Sequence, residues 1–155
     1  MKHLFLIIAV FLVTAAFGVY YWQPETANEV PVIYWVTDPN PAREQQVELF
    51  HEWLVDHGHT TAEGRPVVEL RLDFGNNNQS KKVIQGVSGV GGDIWDVYGG
   101  TQLQYFHAIG LLADLTDEAR RLGFSTDKTY DAVVPEISVD GRQYAFPCNV
   151  STTMF

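Results

Sequence analysis

The sequence predicts an α/β fold that has three parallel strands in the order 2-1-3 and a C-terminal hairpin. Strand patterns alternate with helix patterns along residues 31–110, which favours parallel strands joined by right-handed helical crossovers. The first and third strand patterns are almost wholly apolar, as interior strands are, whereas the second alternates apolar and polar residues, as an edge strand does. An Asp-Gly pair near residue 140 predicts the hairpin.

The first strand and helix are predicted from a run of apolar residues followed by helix-start signals. Pro31–Thr37 is unbroken in apolar and β-branched residues, as a buried strand is. Asn40 is a favourable N-cap and Pro41 a favourable first helical residue, so a helix is expected to run to about His57, before Gly58. Its apolar face is expected to comprise Val47, Phe50, Trp53 and Leu54.

The second strand is predicted over Val67–Phe74 because polar and apolar side chains alternate there. The turn Gly75–Asn78 leads to a short helix over Gln79–Ser88, which the glycines of Gly89–Gly92 end. The third strand is predicted over Asp93–Tyr98. The inward side chains of the second strand are expected to be Val68, Leu70, Leu72 and Phe74.

Two further helices and a hairpin are predicted after the third strand. Thr101-Gln-Leu-Gln104 has a capping-box pattern, so a helix is expected to begin there and to end near Gly110. Thr116 is expected to cap a second short helix that ends at Leu122. The hairpin is expected over Ile137–Phe146, with its turn at Asp140-Gly141.

Residues 1–22 have two interpretations that the sequence leaves open. In the first, they are a signal peptide whose small residues near Gly18 form the cleavage site. In the second, residues 4–22, which carry no charge, remain as an anchor in the inner membrane. Both alternatives export the rest of the chain to the periplasm or the cell surface. Residues 23–30 are polar and are interpreted as a linker.

The charge of the chain disfavours nucleic acid as a partner. Beyond residue 22 it has nine basic and nineteen acidic side chains, and basic residues form no patch. The only cysteine is Cys148, so no disulfide within the chain is possible. His51, His57 and His59 match no known metal-ligand spacing, and no cofactor or metal is expected.

The candidate binding residues follow the predicted strands, because ligands of parallel sheets bind beyond the carboxyl ends of the strands. They are short polar side chains that can pair with hydroxyl groups, and aromatic rings near them could stack on a sugar. Lys81 and Lys82 are expected to point to solvent, so a neutral ligand is predicted. The polar candidates are Asp38, Asn40, Asn76, Asn77, Asn78, Thr101 and Gln102, and the aromatic candidates are Trp35, Tyr98 and Tyr105.

Four segments resemble the solute-binding proteins of ATP-driven sugar importers, the family related to maltose-binding protein. Val32–Leu54 is similar to the first strand and helix of that family. Gly86–Val97 resembles its Gly-rich run before a strand with two aspartates. Phe106–Thr116 is similar to its Gly-Leu-Leu stretch, and Val139–Ser151 to its Asp-Gly-Lys-x-Tyr-Ala-x-Pro hairpin and the polar residues that follow.

The resemblance implies a type II periplasmic-binding fold, in which two α/β lobes close on a small ligand. Residues 31–155 would then form the first lobe, with the second lobe beyond them, and Phe146–Phe155 would be exposed. The implied protein binds a sugar or oligosaccharide for a membrane permease and performs no catalysis. The hairpin segment adds Asn149 and Ser151 as candidate ligand contacts. An exported hydrolase and a membrane-anchored sensor are the alternatives.

Overall fold

The computed structural model describes residues 2–21 and 30–148. The chain divides into two units, residues 1–30 and residues 31–155. The first contains helix α1, Lys2–Tyr21. Among the described residues, no helix is long and apolar enough to cross a membrane. The signal-peptide and anchor interpretations both stay predictions, and the linker lies almost wholly outside the described residues.

The second unit is an α/β fold with a parallel sheet and a small antiparallel hairpin, as predicted. A 3₁₀ turn at Thr126–Lys128 precedes its last helix. The other elements, in chain order, are β1 (Val32–Val36), α2 (Pro41–Asp56), β2 (Glu69–Asp73), α3 (Gln79–Val87), β3 (Ile94–Trp95), α4 (Gly100–Ala108), α5 (Thr116–Leu122), α6 (Val134–Ile137), β4 (Ser138–Val139) and β5 (Arg142–Gln143).

The three parallel strands lie in the order β2-β1-β3, which confirms the predicted topology. In the register of the sheet, Tyr34 pairs with Arg71, and Val36 pairs with Trp95. The apolar β1 is therefore central, and the alternating β2 is an edge strand. The polar residues of β2 were a sufficient signal for its place, but β3, whose apolar pattern predicted an interior position, lies at the other edge of the described sheet.

All three strands are shorter than predicted, β1 by one residue at each end and β2 and β3 by more. β3 ends at Trp95, although the backbone amide of the next residue, Asp96, still donates to the carbonyl of Val36 in β1 at 3.1 Å. β2 begins at Glu69, since the amide of Val67 bonds to the carbonyl of His59 in the preceding loop. Phe74, expected to point inward, is exposed.

The starts of α2 and α3 are capped by asparagines. Asn40 accepts a hydrogen bond from the amide of Ala42 at 3.0 Å, and Asn78 accepts one from the amide of Ser80 at 3.0 Å. The Asn40 cap and the helix from Pro41 confirm the prediction for α2. Both side chains satisfy amides that have no partner inside the helix.

The predicted threonine caps of α4 and α5 are wrong. α4 begins at Gly100, and its first amide donates to the carboxylate of Glu136 from α6. Before α5, Asp114 accepts from the amide of Thr116 at 3.0 Å. In both cases a carboxylate replaces the expected hydroxyl, and a negative charge at a helix start is also favoured by the helix dipole.

The hairpin turns at Asp140-Gly141, as predicted, with φ of 51° and 76°. Both values are positive, as a two-residue hairpin turn of this kind requires. The buried Gln143 fastens the hairpin to the body of the fold: its amide donates to the Thr116 hydroxyl at 2.9 Å, and its side chain donates to the carbonyl of Phe124 at 3.1 Å.

The core lies between the sheet and helices α2, α4, α5 and α6. Trp53, expected in the apolar face of α2, is instead half exposed and stacks on His57 and His59. Phe146 is exposed, as predicted, and the rest of the predicted exposed segment, 149–155, lies outside the described residues. The buried apolar residues are Val36, Leu54, Leu103, Phe106, Ala119, Val133 and Ile137.

Candidate functional site

The carboxyl ends of the three parallel strands bring separate parts of the chain to one edge of the sheet. β1 leads into Thr37 and Asp38, β2 into residues 74–78, and β3 into residues 96–98. This is the edge at which ligands bind in open parallel sheets. The side chains there form two neighbouring groups.

The first group, which we call the Asp96 hub, consists of Asp96 and its three donors. One carboxylate oxygen of Asp96 accepts from Trp35 Nε1 at 2.9 Å. The other accepts from the Thr37 hydroxyl at 2.5 Å and from an Arg43 Nη at 3.2 Å. The Asp96 side chain is only 10% exposed, and Thr37 is completely buried. The hub therefore joins β1, α2 and the end of β3 through satisfied bonds.

Arg43 directs its donors into the hub and its surroundings. Its Nε lies 3.2 Å from Oδ1 of Asp38, and a second Nη donates to Gln46 at 3.0 Å. The guanidinium lies over the Trp35 ring, 4.9 Å from its centroid, where cation–π attraction adds to the charge pairing. Trp35 is thereby covered by Arg43, so it offers a ligand less open surface than the prediction assumed.

Asp38 lies at the margin of the hub and its side chain is 40% exposed. Its Oδ1 accepts from Arg43 at 3.2 Å and is 3.2 Å from the Thr37 hydroxyl. Burial acts to raise the pKa of Asp38, but the hydrogen bond and charge of Arg43, together with the nearby Thr37 hydroxyl, outweigh it, so the pKa is lowered. Asp38 is therefore an ionised acceptor at the open edge.

The second group, which we call the Tyr98 platform, consists of Tyr98, Asn77 and Gln102. Tyr98 is 58% exposed, yet two neighbours hold it. Asn77 donates from Nδ2 to the Tyr98 hydroxyl at 3.1 Å, and Gln102 accepts from the Tyr98 amide at 2.7 Å. The ring is an accessible aromatic surface that is fixed at its hydroxyl end and at its backbone.

Lys82 lies beneath this platform, which corrects the expectation that it points to solvent. It is 1% exposed, and its Nζ donates to the backbone carbonyl of Asp96 at 2.7 Å. The same Nζ lies 5.5 Å from the centroid of the Tyr98 ring. Burial lowers the pKa of Lys82, and the Asp96 carboxylate acts in the opposite direction. The adjacent Lys81 donates to the carbonyl of Gly75 at 2.7 Å.

Asn77 contributes an unpaired acceptor to the platform. Its Nδ2 is bonded to Tyr98, while its Oδ1 is buried and has no hydrogen-bond partner among the described residues. A buried acceptor without a partner is costly unless a ligand or water completes it. Asn76, by contrast, is bonded to Asp73 through Nδ2 at 2.6 Å, so its donor is already used.

The structure thus divides the predicted site residues. Asn77 and Gln102 meet at Tyr98, and Asp38 lies at the margin of the hub. Asn40 and Asn78 are helix caps, so their side-chain oxygens are already occupied. The remaining candidates do not join either group in the described chain: Thr101 and Tyr105 are exposed on α4, and Asn149 and Ser151 lie outside the described residues.

Sequence reasoning missed Arg43, Lys82 and Asp96 as residues of this edge. Arg43 lies in the first turn of α2, a few residues after the end of β1, and this position in the sequence could have indicated that it lies at the edge. Lys82 gave no comparable signal, because a lysine in a short helix is usually solvated. Asp96 lies within the predicted third strand, where nothing local distinguishes it from Asp93, which accepts from the amide of Tyr34 at 2.8 Å and takes no part in the hub.

Another depression in the second unit lies away from this edge. It has a volume of about 390 Å³ and is formed by the last turns of α2 and by Pro66, before β2. Because α2 runs back along the sheet, this depression lies toward the amino ends of the strands. Within the described residues, no group of three or more histidine, cysteine or acidic side chains could hold a metal ion. The residues that line the depression are His51, Glu52, Val55, Asp56 and Pro66.

No protein-family model matches the chain, and no curated protein matches it significantly.

Proposed function

We propose that this protein binds a neutral carbohydrate at the strand-end edge, with Tyr98 as the stacking surface. The observation that carries this proposal is an exposed aromatic ring fixed by Asn77 and Gln102 beside an unpaired amide oxygen. Sugars present an apolar ring face and a rim of hydroxyls, so a site for them needs an aromatic surface and groups that donate and accept.

The charges at the edge favour a neutral ligand over an anion. Two cations, Arg43 and Lys82, lie there, although the sequence prediction expected none. Arg43 is engaged by Asp38, Asp96 and Gln46, and Lys82 by the Asp96 carbonyl. An anion would have to displace these partners, whereas a hydroxyl can donate directly to the ionised Asp38.

The wider role rests on the resemblance to the sugar-importer family. We propose that residues 31–155 belong to the first lobe of a type II binding fold that delivers its ligand to the permease of an ATP-driven importer. The sheet order β2-β1-β3 and the hairpin are consistent with that lobe. Export to the periplasm or cell surface, through residues 1–22, belongs to the same proposal.

A thermal-shift panel of neutral, acidic and amino sugars tests the binding proposal on the full chain. A ligand at about 100 times its dissociation constant adds about 2.7 kcal/mol to stability, which such a panel detects. Neutral sugars are expected to raise the melting temperature. Stabilisation by phosphorylated or acidic sugars alone, with no response to neutral ones, would refute the proposal.

Variants connect any such response to the strand-end edge. Asp38→Ala and Gln102→Ala are each expected to weaken the response of a neutral sugar while the protein stays folded. Tyr130→Ala is a control for truncation of a side chain away from the edge, since Tyr130 is highly exposed and belongs to neither group. An equal loss in all three variants would remove the edge from the proposal.

A further inference from the structure

The two faces of the Tyr98 ring have different surroundings. Lys82 is buried and its Nζ lies over the ring, 5.5 Å from the centroid, so the face toward Lys82 is the inner one. Because Tyr98 as a residue is 58% exposed, the opposite face is the one a ligand can reach. A ligand on that face would have the Lys82 ammonium directly behind the ring.

The buried ammonium also balances the charges of the edge. Asp38 and Asp96 contribute two negative charges, and Arg43 pairs with both of them. Lys82 supplies the second positive charge through its contact with the Asp96 carbonyl. Removing it would leave these four side chains with one net negative charge and would free the inner face of Tyr98.

An aromatic face normally attracts cations, because the π-electrons give it a negative potential. Here the inner face already holds a cation. A second cation on the outer face would lie about 10 Å from Lys82, where repulsion at an effective dielectric constant of about 20 exceeds the attraction that an exposed ring offers. A neutral ring pays no such penalty and retains its dispersion contacts.

We propose that Lys82 determines the charge selectivity of the Tyr98 platform: the outer face accepts neutral ring systems and rejects cationic ligands such as quaternary ammonium compounds and protonated amino sugars. This inference rests on the proposed function only in that Tyr98 is taken as a ligand surface. Lys82 acts from behind the ring and is a specificity-determining residue without touching the ligand.

A pair of isosteric probes tests the inference on the unmodified chain. Choline is cationic, and 3,3-dimethylbutan-1-ol has the same shape without the charge. Each is titrated at low ionic strength while the Tyr98 ring signals are followed by NMR. The neutral probe is expected to bind at least as tightly as choline. A clear preference for choline at Tyr98 would overturn the inference.

Neighbouring lysines supply a matched pair of variants. Lys82→Met is expected to raise choline affinity at Tyr98 by about tenfold, because it removes the charge repulsion that outweighs the cation–π attraction. Lys81→Met removes the same charge one residue away, from a lysine bound to the Gly75 carbonyl, and is expected to leave choline affinity unchanged. Equal gains in both variants, or none in Lys82→Met, would contradict a role for Lys82.

Two provisions keep the test decisive. If Lys82→Met does not fold, Lys82→Gln removes the charge and keeps a donor for the Asp96 carbonyl, with the same expected gain. The carbohydrate panel separates this inference from the proposed function. Discrimination against choline without any sugar binding would support the Lys82 inference and contradict the proposed function. Sugar binding together with a preference for choline would support the proposed function and contradict the Lys82 inference.

Discussion

The Asp96 hub and the Tyr98 platform lie at the same edge of one sheet, yet their side chains are used in opposite ways. In the hub, a nearly buried carboxylate accepts from Trp35, Thr37 and Arg43. In the platform, Tyr98 is mostly exposed and an acceptor of Asn77 is unpaired. Satisfied, buried polar groups hold a fold together, whereas an exposed ring is available to a ligand and a buried unpaired acceptor needs a ligand or water to complete it.

Breaking the hub is expected to have the largest effect. Asp96→Ala should lower the free energy of unfolding by about 3 kcal/mol, because it leaves the indole donor of Trp35 without its acceptor and removes the buried partner of Thr37 and Arg43. Urea denaturation measures this loss. Asp93→Ala is the control, since that carboxylate has one exposed contact, to the amide of Tyr34. A loss no larger than that of the control would show that the hub is not structural.

Truncating the platform is expected to change binding and not stability. Tyr98→Ala should weaken a neutral sugar about five- to tenfold through the lost stacking contact, while the free energy of unfolding changes by about 0.5 kcal/mol or less, as for other exposed positions. Calorimetry and urea denaturation on the same samples measure both. Large destabilisation with intact binding would reverse the roles assigned to the two groups.

The asparagine caps should behave as structural residues despite their place at the edge. Asn40→Ala and Asn78→Ala are each expected to cost about 1 kcal/mol of stability, because each leaves a helix-start amide without its acceptor. Sugar affinity should stay unchanged. Asn40→Asp, which keeps an acceptor, is expected to restore most of the stability. Weaker sugar binding with unchanged stability would indicate that these asparagines contact the ligand.

Asp114, outside both groups, is expected to give the smallest effect and a pH dependence of known sign. Hydrogen bonds from Thr116, with Arg142 adding to them, lower its pKa to about 2. The unfolded value is near 3.9, so the unfolded state binds more protons between these values. Its stabilisation is present above about pH 4 and is lost as pH falls toward 2.

NMR titration of the Asp114 carboxyl measures this midpoint directly. Asp114→Asn should remove its share of the acid-induced loss of stability, and Arg142→Met should move the midpoint upward. A midpoint near the unfolded value would show that the Thr116 and Arg142 contacts do not form in solution. Because the ion pair of Asp114 with Arg142 lies at the surface, its contribution to stability is expected to be smaller than that of any hub residue.

The sequence was sufficient for the strand order because polarity separates β1 from β2, although the apolar β3 also lies at an edge of the described sheet. The wholly apolar β1 had to be interior and the alternating β2 had to be an edge. It was insufficient where partners are distant along the chain. Glu136 caps a helix that begins 36 residues earlier, and no local pattern announces that contact.

The candidate site was predicted in part for the same reason. Strand ends are visible in the sequence, so Asn77, Gln102 and Tyr98 could be named. Whether a polar side chain at a strand end is a cap or a free group depends on its local bonds, and Asn40 illustrates this. The burial of Lys82 depends on the packing of α3 against the end of β3, and a local sequence pattern does not predict that packing.

The central claim is that a neutral sugar binds at the Tyr98 platform. The most direct test is to add a neutral sugar from the panel to the full chain and to record which NMR signals shift. The account predicts that the largest shifts fall on the side-chain signals of Asn77, Tyr98 and Gln102, with smaller ones at Asp38. It also predicts that the signals of His51 and Val55, in the depression at the other end of the sheet, stay in place. Shifts centred on that depression, or no binding by any neutral sugar, would contradict it.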